Sequence, residues 1–249
     1  VNYQFVSRTD TGRVRTNNED AVGFDAPERL AVLADGMGGY KAGEVASAMT
    51  IATVRAHLGA WLRGAGAAPT VMQVRHAMEI AVARANASVF DTSVANEDCR
   101  GMGTTLVVGV FSGANLVLGH IGDSRCYRIR GGLLDQITRD HSLLQDQIDA
   151  GWVTPEQALF SNIRNILTRA LGIEPATPLE VHEHRVEAGD VYLMCSDGLS
   201  DMIEDASIAR IMGEAPDLSA CADALVSAAN ECGGRDNISV LLVQVSAEP

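Results

Sequence analysis

The chain has 249 residues, 47% apolar and 20% charged, with a net charge of −13. That acid excess excludes a nucleic-acid-binding surface, which needs clustered Lys and Arg, and it disfavours docking on anionic membranes. No run of about 18 apolar residues is present, so no membrane span or membrane insertion is expected, and no signal-peptide pattern opens the sequence.

Five cysteines (Cys99, Cys126, Cys195, Cys221 and Cys232) occur without a C-x-x-C pair. The odd count in a long chain points to reduced thiols and a cytoplasmic setting rather than a disulfide framework or a zinc site. No Pro/Ser-rich linker divides the sequence. Length leaves one or two domains open, and the lack of a linker favours a single one over 1–249, with enough apolar residues for a sizeable core.

Residues 2–7 read as a strand, and 11–20 as a polar turn. AVGF (21–24) and LAVLA (30–34) read as two strands joined by a hairpin loop at APER. From Gly43 to about Arg63 the pattern is helical, with Val45, Ala48, Met49, Ala52 and Ala56 as its apolar stripe. Thr70 is placed to cap a second helix to about Phe90, whose stripe is Val71, Val74, Met78, Ala81 and Ala85. A polar loop at 92–103 leads to strand-like runs at 104–111, 115–122 and 124–130. Residues 143–172 are mixed. Another strand pair falls at 179–186 and 191–196, helices near 201–213 and 217–231, and a last strand at 238–245. Short turns between successive strands favour antiparallel pairing. Clustered helices favour α+β layers over a doubly wound parallel sheet.

Carboxylates interrupt the apolar runs at strand ends. Asp35 follows LAVLA, Asp123 follows LVLGHIG, Asp197 follows VYLMCS, Asp236 precedes NISVLLV, and Glu19 and Asp20 precede AVGF. A single Asp-Gly is most simply a turn. Acids from five strand ends converging on one side of a sheet would repel by several kcal/mol per close pair unless hard cations sat among them. Magnesium and manganese prefer such oxygen ligands, and a neighbouring glycine can offer its carbonyl. Arg15, four residues before Glu19, suits a phosphate through two parallel hydrogen bonds.

The segments GRVRTNNED (12–20), VLADGMGGYKAGEVAS (32–47), GMGTT (101–105), GHIGDSRCY (119–127), RDHS (139–142), LTRALG (167–172), CSDGLSD (195–201) and DNISVLLV (236–243) together resemble the protein phosphatase 2C family of metal-dependent serine/threonine phosphatases, in its compact bacterial form. The resemblance implies a four-layer α-β-β-α sandwich of two antiparallel sheets flanked by helix pairs. It implies that Asp35 bridges two Mn2+ or Mg2+ ions, that Gly36 gives its carbonyl to one, and that Asp197 and Asp236 hold the other. Glu19 and Asp20 would act through metal-bound water, Arg15 would bind phosphate, and Asp123, Asp197 and Asp201 would form a weaker third metal site. Residues 143–166 would be a flap beside the site. The implied reaction is direct hydrolysis of phosphoserine and phosphothreonine by a hydroxide shared between the metals, in a monomer that opposes a cognate kinase and acts on that kinase's substrates.

Relatives often carry His where this chain has Tyr40, which leaves Tyr40 as a substrate-side hydrogen-bond donor and the leaving-group acid unassigned. DGMGGYKAGE also resembles a branch that accompanies type VI secretion clusters. His141 reads as structural, His182 and His184 as a solvated face rather than a metal site, and Cys195 as a packed strand residue. Competing readings fit less well. A nucleotide-binding G-x-G-x-x-G would need glycine at Lys41, and the Walker pattern is absent. A Cys-phosphatase loop would need Arg at Asp201. A non-catalytic module of the same fold would be expected to lose the metal acids.

Overall fold

The computed structural model describes residues 1–39, 42–66, 69–158, 163 and 165–247. One sheet runs in the order β1 (Asn2–Asp10), β11 (Ile238–Ser246), β10 (Val191–Cys195), β7 (Arg125–Arg130), β8 (Leu133–Gln136). The other runs β2 (Asp20–Asp25), β3 (Leu30–Met37), β5 (Leu106–Ser112), β6 (Asn115–Ile121), β9 (Glu180–Arg185), with the short β4 (Gly103–Thr104) continuing the pairing along β3. Every pairing among these strands is antiparallel. The expected four-layer α+β sandwich is borne out.

The layers follow from side-chain alternation on strands buried on both faces. Along β3, Leu30, Val32 and Ala34 point to α1 (Ala42–Gly64) and α2 (Val71–Ala95), whereas Ala31 and Leu33 point between the sheets. Along β11, Ile238, Val240 and Leu242 meet α6 (Asp205–Glu214) and α7 (Leu218–Glu231), while Leu241, Val243 and Val245 fill the inter-sheet layer. That middle layer holds Phe5, Phe111 and Tyr192, with Phe111 edge-on to Tyr192 at 5.3 Å between ring centres.

Thr70 caps α2 as expected, in a reciprocal box with Gln73, and all five residues of the predicted α2 stripe face the core. The α1 stripe is corrected in part: Val45 and Met49 pack against the core as expected. Its buried face is Ala46, Ser47, Thr50, Ile51, Val54 and Leu58, while Ala48, Ala52 and Ala56 are exposed. Alanines on several faces hid the periodicity, and small buried Ser and Thr carried part of it. The helix expected at 201–213 is also corrected. A single turn, α5 (Asp197–Ser200), comes first, and α6 begins only at Asp205. The two residues Gly131 and Gly132, both at positive φ, turn the chain into β8, which the sequence reading passed over. Within the expected flap lie α3 (Leu143–Asp149), capped by Ser142, and α4 (Pro155–Ala158).

The registers place the functional strand ends together. Asp20 pairs with Asp35, Cys195 with both Val240 and Arg125, Asp10 with Ile238, and Leu106 with Ile121. The start of β2, the ends of β3, β6 and β10, and the start of β11 therefore share one end of the sandwich.

Candidate metal centre

At that end Asp20 and Asp35 stand opposite each other on adjacent strands. Burial and the nearby carboxylates of Asp20, Asp197, Asp123 and Asp236 push the Asp35 carboxyl well above the usual range. Asp197 is raised in the same way, by burial and by Asp123, Asp201, Asp236 and Asp20. Asp20 is raised to about 6 by burial, and Asp123 to about 7 by burial and then by Asp140. Each acid is thus perturbed by others of the group, as convergence requires.

Oxygen donors fit a hard divalent cation here. Asp20 Oδ1 is buried and lacks a hydrogen-bond partner. Glycine is required at 36, because a Cβ there would collide with the carbonyl of Gly43 and lie 2.6 Å from that of Glu19. Among the described residues, no three of these carboxylates bring oxygens within 4.8 Å of one another. An ion held here would therefore fill much of its shell with water beside the carboxylates and the Gly36 carbonyl. That is how magnesium-like ions usually bind, keeping several waters.

Arg15 sits on the rim, 53% exposed, with a guanidinium nitrogen 2.6 Å from Asp236 Oδ2. Asp201 follows α5, its amide donating to the Asp197 carbonyl at 2.7 Å. Tyr40 lies outside the described residues. Asn165, near the end of the flap, reaches Asp197 Oδ2 at 3.4 Å.

Several positioning residues escaped the sequence reading. Asn237 Nδ2 donates to the carbonyls of Thr11 and Asn17, and its Oδ1 accepts the Glu19 amide at 2.7 Å. One buried side chain thereby fixes the loop that carries Arg15 and Glu19. Ser196 Oγ donates to Asp20 Oδ2 at 2.7 Å and accepts the Ser239 amide. Beside Asp123, Asp140 is paired with Arg125 at 2.7 Å, and Arg125 also donates to Tyr127. The available signal was a small or polar residue at the edge of an apolar run, as in CSDG and DNIS. We expect Asn237→Ala to cost about 2 kcal/mol, since it orphans three partly buried backbone groups, and to lower kcat about tenfold. Urea denaturation and initial rates measure the two effects.

His141 is structural, as expected. Its Nδ1 accepts the Gly122 amide at 3.1 Å and its Nε2 lies 2.9 Å from Glu180. Nδ1 as acceptor makes Nε2 the protonated nitrogen, so the cluster of His120, His141 and Glu180 leaves His141 no lone pair for a metal. His182 is open to solvent, but His184 is only half-buried and its Nε2 is shielded, so the solvated-face reading is corrected for His184. Cys195 is fully buried and its thiol is pushed up to about 12 by burial, which suits packing and not nucleophilic attack. No helix among the described residues is long and apolar enough to cross a membrane.

The family pattern described as protein phosphatase 2C matches residues 11–241. The serine/threonine phosphatase stp of Listeria innocua is 36% identical over 240 residues, covering 95% of this chain and 94% of that one. The crystal structure of the PstP catalytic domain in complex with two manganese ions superposes with a TM-score of 0.87 at 38% identity, over 98% of this chain and 99% of that one. PppA, a regulatory component of the type VI secretion system in Pseudomonas aeruginosa, superposes with a TM-score of 0.85 at 31% identity, over 98% of each chain.

Proposed function

The chain belongs to the protein phosphatase 2C family, a metal-dependent protein serine/threonine phosphatase of the bacterial PstP/Stp type, and from that premise we propose how its own residues carry the reaction. Asp35 would be shared by two Mn2+ or Mg2+ ions, Gly36 would give one of them its carbonyl, and Asp197 and Asp236 would hold the other. Glu19 and Asp20 would act through water. Asp123, Asp197 and Asp201 would form a weaker third site. When bound, such ions supply Lewis acidity and lower the pKa of water from 15.7 towards about 7.

The observation that carries this assignment is the convergence of five strand ends, with Asp20 set opposite Asp35 and its charge, with those of Asp197, Asp123 and Asp236, raising the Asp35 carboxyl. Arg15 binds and orients the phosphoryl group through its guanidinium, moving from Asp236 onto phosphate oxygens. Tyr40 is proposed as a hydrogen-bond donor on the substrate side. The substrates are phosphoproteins. A Ser/Thr kinase of the same cell and the proteins it modifies are proposed as the particular ones, with the enzyme acting as a cytoplasmic monomer. The five free cysteines support a reducing setting, and the type VI-associated neighbour supports testing a kinase from such a pathway.

Hydrolysis of a phosphothreonine peptide in Mn2+, by wild type and Arg15→Ala, tests the Arg15 role. We expect kcat/KM to fall at least ~100-fold in the variant, with manganese binding kept. An Arg15→Ala enzyme as efficient as wild type would remove Arg15 from the phosphate site.

A further inference from the structure

Two of the proposed metal acids, Asp35 on β3 and Asp123 on the turn after β6, repel each other. Thr105 lies between their backbones. The register of β3 is continuous on both sides of the break between β4 and β5, with Gly36 opposite Thr104 and Leu33 opposite Val107. Asp35 therefore faces Thr105. The Thr105 amide donates to the Asp35 carbonyl at 2.8 Å, as a ladder demands. In return the Asp35 amide donates to the Thr105 hydroxyl, at 2.9 Å, in place of the Thr105 carbonyl. With its oxygen accepting that amide, the hydroxyl has its proton to offer, and Ser124 Oγ lies 2.7 Å away. Thr105 and Ser124 are both buried.

The same side chain supports the turn that carries Asp123. Gly122 has φ +100, and a Cβ there would stand 2.7 Å from the Thr105 methyl, so glycine is needed on steric and conformational grounds. On its far side Gly122 is clamped by His141, whose amide donates to the Gly122 carbonyl at 2.9 Å and whose ring accepts the Gly122 amide. The 122–124 turn is thus held between Thr105 and His141, and Thr105 alone of these two also holds Asp35.

We propose that Thr105 is a positioning residue of the metal centre, whose hydroxyl ties the Asp35 backbone to the Gly122–Ser124 turn and so presents Asp35 and Asp123 to cations as one preset unit. The inference rests on the metal assignment proposed above. A hydroxyl serves because it accepts from one backbone and donates to the other side at the same time. Valine keeps the shape and removes both bonds. Serine keeps both bonds and removes only the methyl that packs on Gly122.

The test is calorimetric titration of Mn2+ into metal-free wild type, Thr105→Val and Thr105→Ser, with melting temperatures recorded alongside. Thr105→Val is expected to weaken the tightest manganese binding at least ~10-fold, whereas Thr105→Ser stays within about twofold of wild type even if it melts lower. Unchanged binding by Thr105→Val, or equal weakening by Thr105→Ser, would overturn the role of the hydroxyl. Wild type that fails to bind manganese would sink the metal assignment itself, a separate result. Should Thr105→Val not fold, Ser124→Ala breaks the outer bond with a small deletion. It is expected to weaken binding at least about threefold, and unchanged binding would overturn the link.

Discussion

Asp35→Asn is expected to lower kcat at least ~1,000-fold and, at the same time, to raise the melting temperature of the metal-free protein by several degrees. The two effects have one cause. Asp35 is surrounded by Asp20, Asp197, Asp123 and Asp236, all of which oppose its charge. Asparagine fills the same volume without charge, and its amide can donate to the neighbouring carboxylates, so the native state gains when no cation is present. The cation that those carboxylates would share loses its common ligand, so activity and the manganese-induced rise in melting temperature vanish together. A residue with a merely structural role would behave the other way, losing stability along with activity. Retained activity, or a metal-free variant less stable than wild type, would contradict the assignment.

The metal-free protein is expected to lose stability as pH rises from about 6.5 to 8, by about 1 kcal/mol from Asp123 alone. Asp123 sits at about 7 in the folded chain, against a reference value of 3.8. Across this interval the unfolded chain has already released that proton and the folded chain still holds part of it. The native state binds more protons, so stability falls as pH climbs through the folded pKa. Asp35 and Asp197, both raised, add in the same direction. Asp20, at about 6, contributes mostly below the interval. The buried histidines work in the opposite sense but mostly at lower pH. His120 is lowered to about 4 by burial, so most of its contribution is gained between there and 6.5, and only about 0.4 kcal/mol remains to be gained as the unfolded imidazole finishes titrating above 6.5. Saturating manganese reverses the trend, because deprotonated ligands bind metal better as pH rises. Urea titrations at pH 6.5 and 8, in EDTA and in Mn2+, give the four values needed. A metal-free stability that rises with pH over this interval would mean that these carboxyls do not crowd one another.

The layered fold was legible because its strands are apolar on both faces and end at charged residues. LAVLA and ISVLLV announce buried strands, and Thr70 with Gln73 announces the start of a helix. The acids were legible as a set for the same reason, each marking where an apolar run stops. Their convergence was not. It depends on register, and Asp20 meets Asp35 only because the four residues Ala26–Arg29 make the β2–β3 hairpin, with Arg29 at φ +54. The α1 face was misread because alanine is equally at home on either side of a helix, so Thr50 and Ser47 went uncounted. Thr105, Asn237 and Ser196 were invisible as positioning groups, since a small polar residue beside a strand has the same look whether it holds a turn or faces water. Only the fold shows that each is buried and bonded to the backbone or side chain of a proposed metal acid or of its immediate neighbour.

The proposed residue roles all presuppose a divalent-cation centre assembled by strand-end carboxylates. Calorimetric titration of Mn2+ into the EDTA-stripped chain at pH 8, beside the Asp35→Asn variant, tests it most directly. Two tight sites with a weaker third in wild type, and loss of the tight binding in the variant, are predicted. No tight binding by wild type, or the same tight binding by both proteins, would contradict it.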